Sequence, residues 1–156
     1  MKKRILFICH GNICRSPMAE FVMKDMVAKQ NLSHCIEAAS AATSYEEIGN
    51  PPHMGTWRIL HAHGISCKGK TARRVTLQDY ADYDYLVCMD SWNIHKLSFI
   101  IPDDPEGKIS KLLEFCGESG DVDDPWYTGD FETTWEEVNR GCAALLSKIK
   151  KEMNLP

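Results

Sequence analysis

Apolar residues in this chain fall into two kinds of run. Ile5-Leu6-Phe7-Ile8 is unbroken by polar residues and rich in strand formers, the pattern of a strand buried on both faces of a parallel sheet. Met18, Phe21, Val22, Met26 and Val27 recur instead at helical spacing, with Lys24, Lys29 and Gln30 on the other side, so a helix is expected to run to about residue 30. Cys35 to Ser40 reads as a second strand, closing a βαβ unit with a right-handed crossover. Residues 40–52, rich in Ser, Thr, Gly, Asn and Pro, read as a loop at the carboxyl edge of the sheet. Met54 to His63 predicts a helix stopped by Gly64.

Further along, residues 65–76 carry Lys68, Lys70, Arg73 and Arg74 with little apolar content, and read as a solvated face with room for a short strand. Asp84 to Met89 predicts a central strand, and Ser91 to Leu97 a helix capped by Asp90 or Ser91. Residues 100–107 form a loop, and Ile109 to Phe115 has room for another strand. The last helix is capped by Asp130 and keeps the 3.6 period from Thr133 to Met153. Its Lys148, Lys150 and Lys151 suit a C-terminal dipole. No repeat, low-complexity tract or linker interrupts the pattern. Residues 1–156 therefore predict one domain of α/β class: a doubly wound sheet of about four parallel strands flanked by helices.

Composition narrows the range of partners. At 156 residues, 44% of them hydrophobic, the chain is long enough for one buried core. A net charge of −4 argues against a nucleic-acid-binding surface. Lys2-Lys3-Arg4 precedes an apolar run too short for a signal peptide, and no stretch approaches the roughly 20 apolar residues of a membrane span. Seven cysteines, an odd number with no closely spaced pairs, fit neither a disulfide framework nor a zinc ribbon. A cytoplasmic protein with no metal and no cofactor is expected, working as a monomer or at most a weak dimer.

The chemistry gathers between the first strand and the first helix, at Cys9-His10-Gly11-Asn12-Ile13-Cys14-Arg15-Ser16-Pro17. Ser16-Pro17 is expected to open the helix, with Ser16 as N-cap, Pro17 at the first position and Glu20 near the capping-box position. Gly11 and Asn12 tolerate left-handed backbone angles, so successive N–H groups can point into one concavity. A strand, a tight loop and a helix N-terminus make an anion site. Cys9 would face inward amides, the helix N-terminus and Arg15, all of which favour negative charge on sulfur. The same donors would hold three phosphate oxygens, with the Arg15 guanidinium suited to two of them. Cys9 is thus expected to attack phosphorus.

Cys9 and Arg15 at this spacing, followed by Ser-Pro, resemble the low-molecular-weight protein tyrosine phosphatases. Longer segments carry the likeness along the chain: 11–20, Ser-Ala-Ala-Thr-Ser at 40–44, Ile-Gly-Asn-Pro-Pro at 48–52, His-Gly-Ile at 63–65, residues 83–90 and Asp-Pro-Trp-Tyr at 124–127. The resemblance implies hydrolysis of phosphotyrosyl proteins or small aryl phosphates in two steps through a cysteinyl-phosphate. His10, Gly11, Asn12, Ile13, Cys14, Arg15 and Ser16 would form the phosphate loop.

From spacing alone Asp123-Asp124-Pro125 is an acidic turn; the resemblance makes Asp124 the general acid, worth typically ~10²–10⁴-fold. It also makes Trp126 and Tyr127 one wall of the substrate cleft, with Tyr45 and Glu46 on the other. Glu46 stands where the family often carries an aromatic residue, so peptide preference is open. By the same likeness Ser40 and His63 would hold Asn12 through a buried polar network. His10 is expected in solvent, and Asp90 either orients a neighbour or caps a helix. Cys14 either packs beneath the loop or traps oxidised Cys9 as a disulfide. Three rival readings stand beside the phosphatase: an arsenate reductase, which lacks obvious relay cysteines here; a phosphoarginine phosphatase, disfavoured by Ile13 where a Thr is expected; and a phosphate-binding module without turnover.

Overall fold

The computed structural model describes residues 2–156. Its sheet has four parallel strands in the order β2-β1-β3-β4: β1 (Lys3–Cys9), β2 (Ile36–Ala42), β3 (Tyr85–Cys88) and β4 (Ile109–Lys111). Chain connections leave β1 toward β2 on one side and reach β3 on the other. The carboxyl ends of β1 and β3 therefore flank the point where strand order reverses, the usual position of a ligand crevice in such sheets.

Alternation along β1 supplies both halves of the core. Ile5, Phe7 and Cys9 face α1 (Arg15–Lys29) and α6 (Phe131–Glu152), where Met18, Val22, Met23, Val138, Leu145 and Ile149 complete one buried cluster. Leu6 and Ile8 face the other way, onto Val75, Tyr83, Leu86, Leu97 and Ile101. Every side chain from Ile5 to Ile8 is fully buried, which is why the run contains no polar residue. Gly141 lets α6 close on the sheet edge, since a β-carbon there would lie 2.4 Å from the Leu112 side chain.

The remaining helices are α2 (Met54–Ala62), α3 (Gln78–Asp82), α4 (Ser91–Leu97) and α5 (Pro125–Thr128). Asp90 caps α4, accepting from the Asn93 amide at 2.7 Å, and Asp130 caps α6 through the Thr133 amide. Gly64 follows α2 with φ +75°, the left-handed stop expected of it.

Three expectations fail locally. Ser16 is not an N-cap: α1 already begins at Arg15, and Ser16 lies in its first turn with its side chain turned into the loop. Glu20, correspondingly, does not cap but is buried against Ser40, Lys24 and Lys70. Residues 65–76 hold only an isolated bridge between Ala42 and Arg74, and the short helix α3 after them was not expected. The 109–115 segment does hold a strand, β4, which stops at Lys111 and gives way to a 3₁₀ turn over Leu112–Cys116.

Candidate active site

Cys9 ends β1 with its sulfur 2.9 Å from Ser16 Oγ. Around it the loop's carbonyls are drawn outward. Cys9 and His10 carbonyls accept the amides of Thr43 and Ser44, Ile13 accepts that of His53, and Cys14 accepts the Thr56 hydroxyl at 3.0 Å. Among the described residues, no amide from Gly11 to Ser16 has a protein acceptor. Successive N–H groups left without protein partners are the donors an anion cradle requires.

Asn12 sets the loop's shape. Its φ of +59° lies in the left-handed region, tolerable for Asn but held only when the surroundings require it. Both protons of Nδ2 are used, on Ser16 Oγ at 2.8 Å and Ser40 Oγ at 2.9 Å, and Oδ1 accepts the Arg73 amide. Ser40 in turn donates to Glu20 at 2.6 Å. Lys70 completes the chain, 3.1 Å from Glu20 and donating to the Ser40 carbonyl. Burial lowers the Lys70 pKa, and Glu20 offsets part of that fall. Because Ser16 Oγ already accepts from Asn12, its own proton is free to point at the sulfur of Cys9.

Arg15 is buried between two carboxylates. Nη1 reaches Asp90 Oδ2 at 2.6 Å and the Val122 carbonyl at 3.0 Å, and Nη2 lies 3.3 Å from Asp124 Oδ2. Burial opposes its charge, but Cys9, Asp90 and Asp124 outweigh that and raise its pKa. Asp124 caps α5 through the Trp126 amide, with Pro125 at the first helical position. Its loop is pinned by three bonds: the Val122 amide to Met89, Thr134 Oγ1 to the Asp123 carbonyl, and the Asp123 amide to Glu137. The Cys14 thiol is pushed up to about 12, by burial first and then by Cys9 and Asp124.

Above the loop opens a cavity of about 620 Å³. Cys9, Cys14 and Arg15 line its floor, Asp90 and Asp124 flank it, and His10, Glu46, Glu47, Trp92, Trp126 and Tyr127 form its rim.

The profile of the low molecular weight phosphotyrosine protein phosphatases matches residues 4–155. This chain belongs to that family. A low molecular weight protein-tyrosine-phosphatase of Bacillus subtilis, YfkJ, is 45% identical over 153 residues, covering 97% of this chain and 98% of the relative. The crystal structure of YfkJ superposes with a TM-score of 0.94 at 44% identity, over 97% of each chain. A low molecular weight protein tyrosine phosphatase from Streptococcus pyogenes gives a TM-score of 0.86 at 40% identity, again over 97% of each.

Within this low molecular weight phosphatase fold, Cys9, Arg15 and Asp124 converge as the sequence leads one to expect, Asp90 both caps α4 and orients Arg15, and Asn12, Ser16 and Ser40 meet in one network. His63 does not join them. Its Nδ1 pairs with the Ile59 carbonyl and its ring stacks on Trp135, with centroids 4.0 Å apart. Ser40 is held by Glu20 and Lys70 instead. Tyr45 is absent from the cavity wall, being 71% exposed with the Arg74 guanidinium 4.1 Å over its ring. His10 is not merely solvated, since Nε2 lies 2.8 Å from Glu46. Trp92 and Glu47 line the cavity and were not anticipated. Trp92 could have been found from its place two residues after Asp90, at the carboxyl end of a strand beside the switch point.

Among the described residues, no group of three or more His, Cys, Asp or Glu side chains is placed to hold a metal ion, and no helix is long and apolar enough to cross a membrane.

Proposed function

We propose that this phosphatase hydrolyses phosphotyrosyl proteins and small aryl phosphates by double displacement at Cys9. The observation that carries this reading is the single guanidinium of Arg15 held between Asp90 and Asp124 beside the Cys9 sulfur. In the first step the thiolate attacks phosphorus, the bond to the aryl oxygen breaks, and Asp124 gives that oxygen its proton. The loop amides and Arg15 stabilise the equatorial oxygens as charge spreads over them. In the second step Asp124, now a carboxylate, takes a proton from water as the water attacks phosphorus. The P–S bond breaks, releasing inorganic phosphate and the thiolate.

Amides and a guanidinium neutralise charge throughout, so the reaction needs no metal and should survive exhaustive chelation. The bulk of Ile13 in the loop and its lack of a hydroxyl favour an aryl ester over a phosphoarginyl group. The odd cysteine count supports a reducing, cytoplasmic setting.

The test is the leaving group. Asp124→Asn should slow hydrolysis of a phenyl ester far more than that of a nitro-activated phenyl ester, whose anion departs without a proton. Asp123→Asn should be mild on both. Equal slowing of the two esters by Asp124→Asn would remove Asp124 from the acid role.

A further inference from the structure

The two carboxylates on Arg15 are built alike. Asp90 caps α4 and Asp124 caps α5, and each is followed two residues later by a tryptophan that lines the cavity, Trp92 and Trp126. Each end of the guanidinium thus fixes a short helix, and each helix sets an indole over the phosphate loop. Trp92 is 55% exposed. Its own helix braces it, with Lys96 Nζ 4.8 Å from the ring centroid and the His95 ring 5.3 Å away. The base of that helix is rigid, because Asn93 is fully buried and Oδ1 accepts the amides of Met89 and Asp90.

Resting on the phosphatase reading above, we propose that Trp92 is a specificity-determining residue: with Trp126 it forms a slot for the flat leaving group, selecting esters of extended aromatic alcohols. The Glu46 side of the rim is polar, its carboxylate engaged by His10. Beyond Ile13 in the loop itself, apolar contact to a second aromatic ring is offered by Trp92 on α4 and Trp126 and Tyr127 on α5. Because Trp92 touches the leaving group and not the phosphate, its effect falls on binding of the aryl part and grows with aryl area.

Phenyl and naphthyl phosphates separate this role from others, since their leaving groups are of similar basicity and differ mainly in area. Steady-state kinetics of the unaltered enzyme, Trp92→Ala and Trp92→Phe on both esters, with inhibition by inorganic phosphate alongside, form the experiment. The naphthyl ester should be the better substrate of the unaltered enzyme. In Trp92→Ala the naphthyl KM should rise about tenfold and the phenyl KM several-fold less, with the loss falling on KM more than on kcat. Trp92→Phe should recover most of it, and the phosphate inhibition constant should stay put. An unmoved naphthyl-to-phenyl ratio would overturn the proposal. So would equal weakening of both esters and of phosphate, which would make Trp92 a prop for Asp90 instead. If the unaltered enzyme turns over neither ester, the phosphatase reading fails first and the slot with it.

Discussion

Asp90 grips Arg15 at 2.6 Å, in a pair whose guanidinium is only 3% exposed and whose carboxylate is 18% exposed. A planar fork held this tightly presents its remaining N–H groups in one fixed plane, the geometry that two phosphate oxygens require. Asp90→Asn keeps the helix cap but loosens the fork. It should lower kcat/KM for aryl phosphates by at least about tenfold. An unchanged kcat/KM would mean that the loop orients Arg15 without help.

The Lys70–Glu20 pair is placed to fix Asn12 in its left-handed conformation through Ser40. Its side chains are 12% and 5% exposed, so losing Lys70 leaves the buried Glu20 carboxylate only Lys24 and the Ser40 hydroxyl. Lys70→Met should destabilise the fold by about 1–3 kcal/mol, and adding Glu20→Gln should restore part of that loss. Urea unfolding of the two variants makes the comparison. If the double variant is no more stable than the single one, the pair is not what Lys70 contributes.

Much of this was legible before the structure, and the reasons differ by element. Ile5 to Ile8 and the stripe on α6 announce themselves because burial on one or both faces leaves a period in the sequence. Cys9 and Arg15 are legible because an anion-binding turn between strand and helix calls for those residue types, whereas Asp124 stands out only through the family resemblance, its spacing alone reading as an acidic turn. Ser16 misleads for a physical reason: a Ser before Pro is the common N-cap, and here its hydroxyl is drawn instead to the sulfur and Asn12. His63 misleads because its partner, Trp135, lies far off in sequence. Lys70 reads as a surface lysine because a buried cation cannot be told from a solvated one without its carboxylate in view. Trp92 reads as an exposed helix start, and the one signal for it is its place just after β3, which borders β1 at the switch point.

The Cys14 thiol, raised to about 12 chiefly by burial, remains protonated at neutral pH. Iodoacetamide at pH 7 should therefore modify Cys9 first and abolish turnover, with inorganic phosphate protecting. Labelling of Cys14 should increase as pH rises toward that value, since thiolate is the reactive form. Preferential modification of Cys14 at pH 7, mapped by peptide mass spectrometry, would contradict this order.

A reversible disulfide remains a separate matter for peroxide. If Cys14 traps oxidised Cys9, Cys14→Ser should keep most of its initial activity yet recover less on thiol treatment after peroxide. Equal recovery in the two proteins would make Cys14 a packing residue only.

The central claim is the covalent intermediate, and rapid acid quench tests it most directly. The enzyme is mixed with an excess of nitro-activated phenyl phosphate, quenched during turnover, digested and examined by mass spectrometry. A phosphoryl group on the peptide containing Cys9, absent from Cys9→Ser, is the predicted result. Full turnover with no phosphoryl group on Cys9 at any quench time, or near-normal turnover by Cys9→Ser, would contradict it.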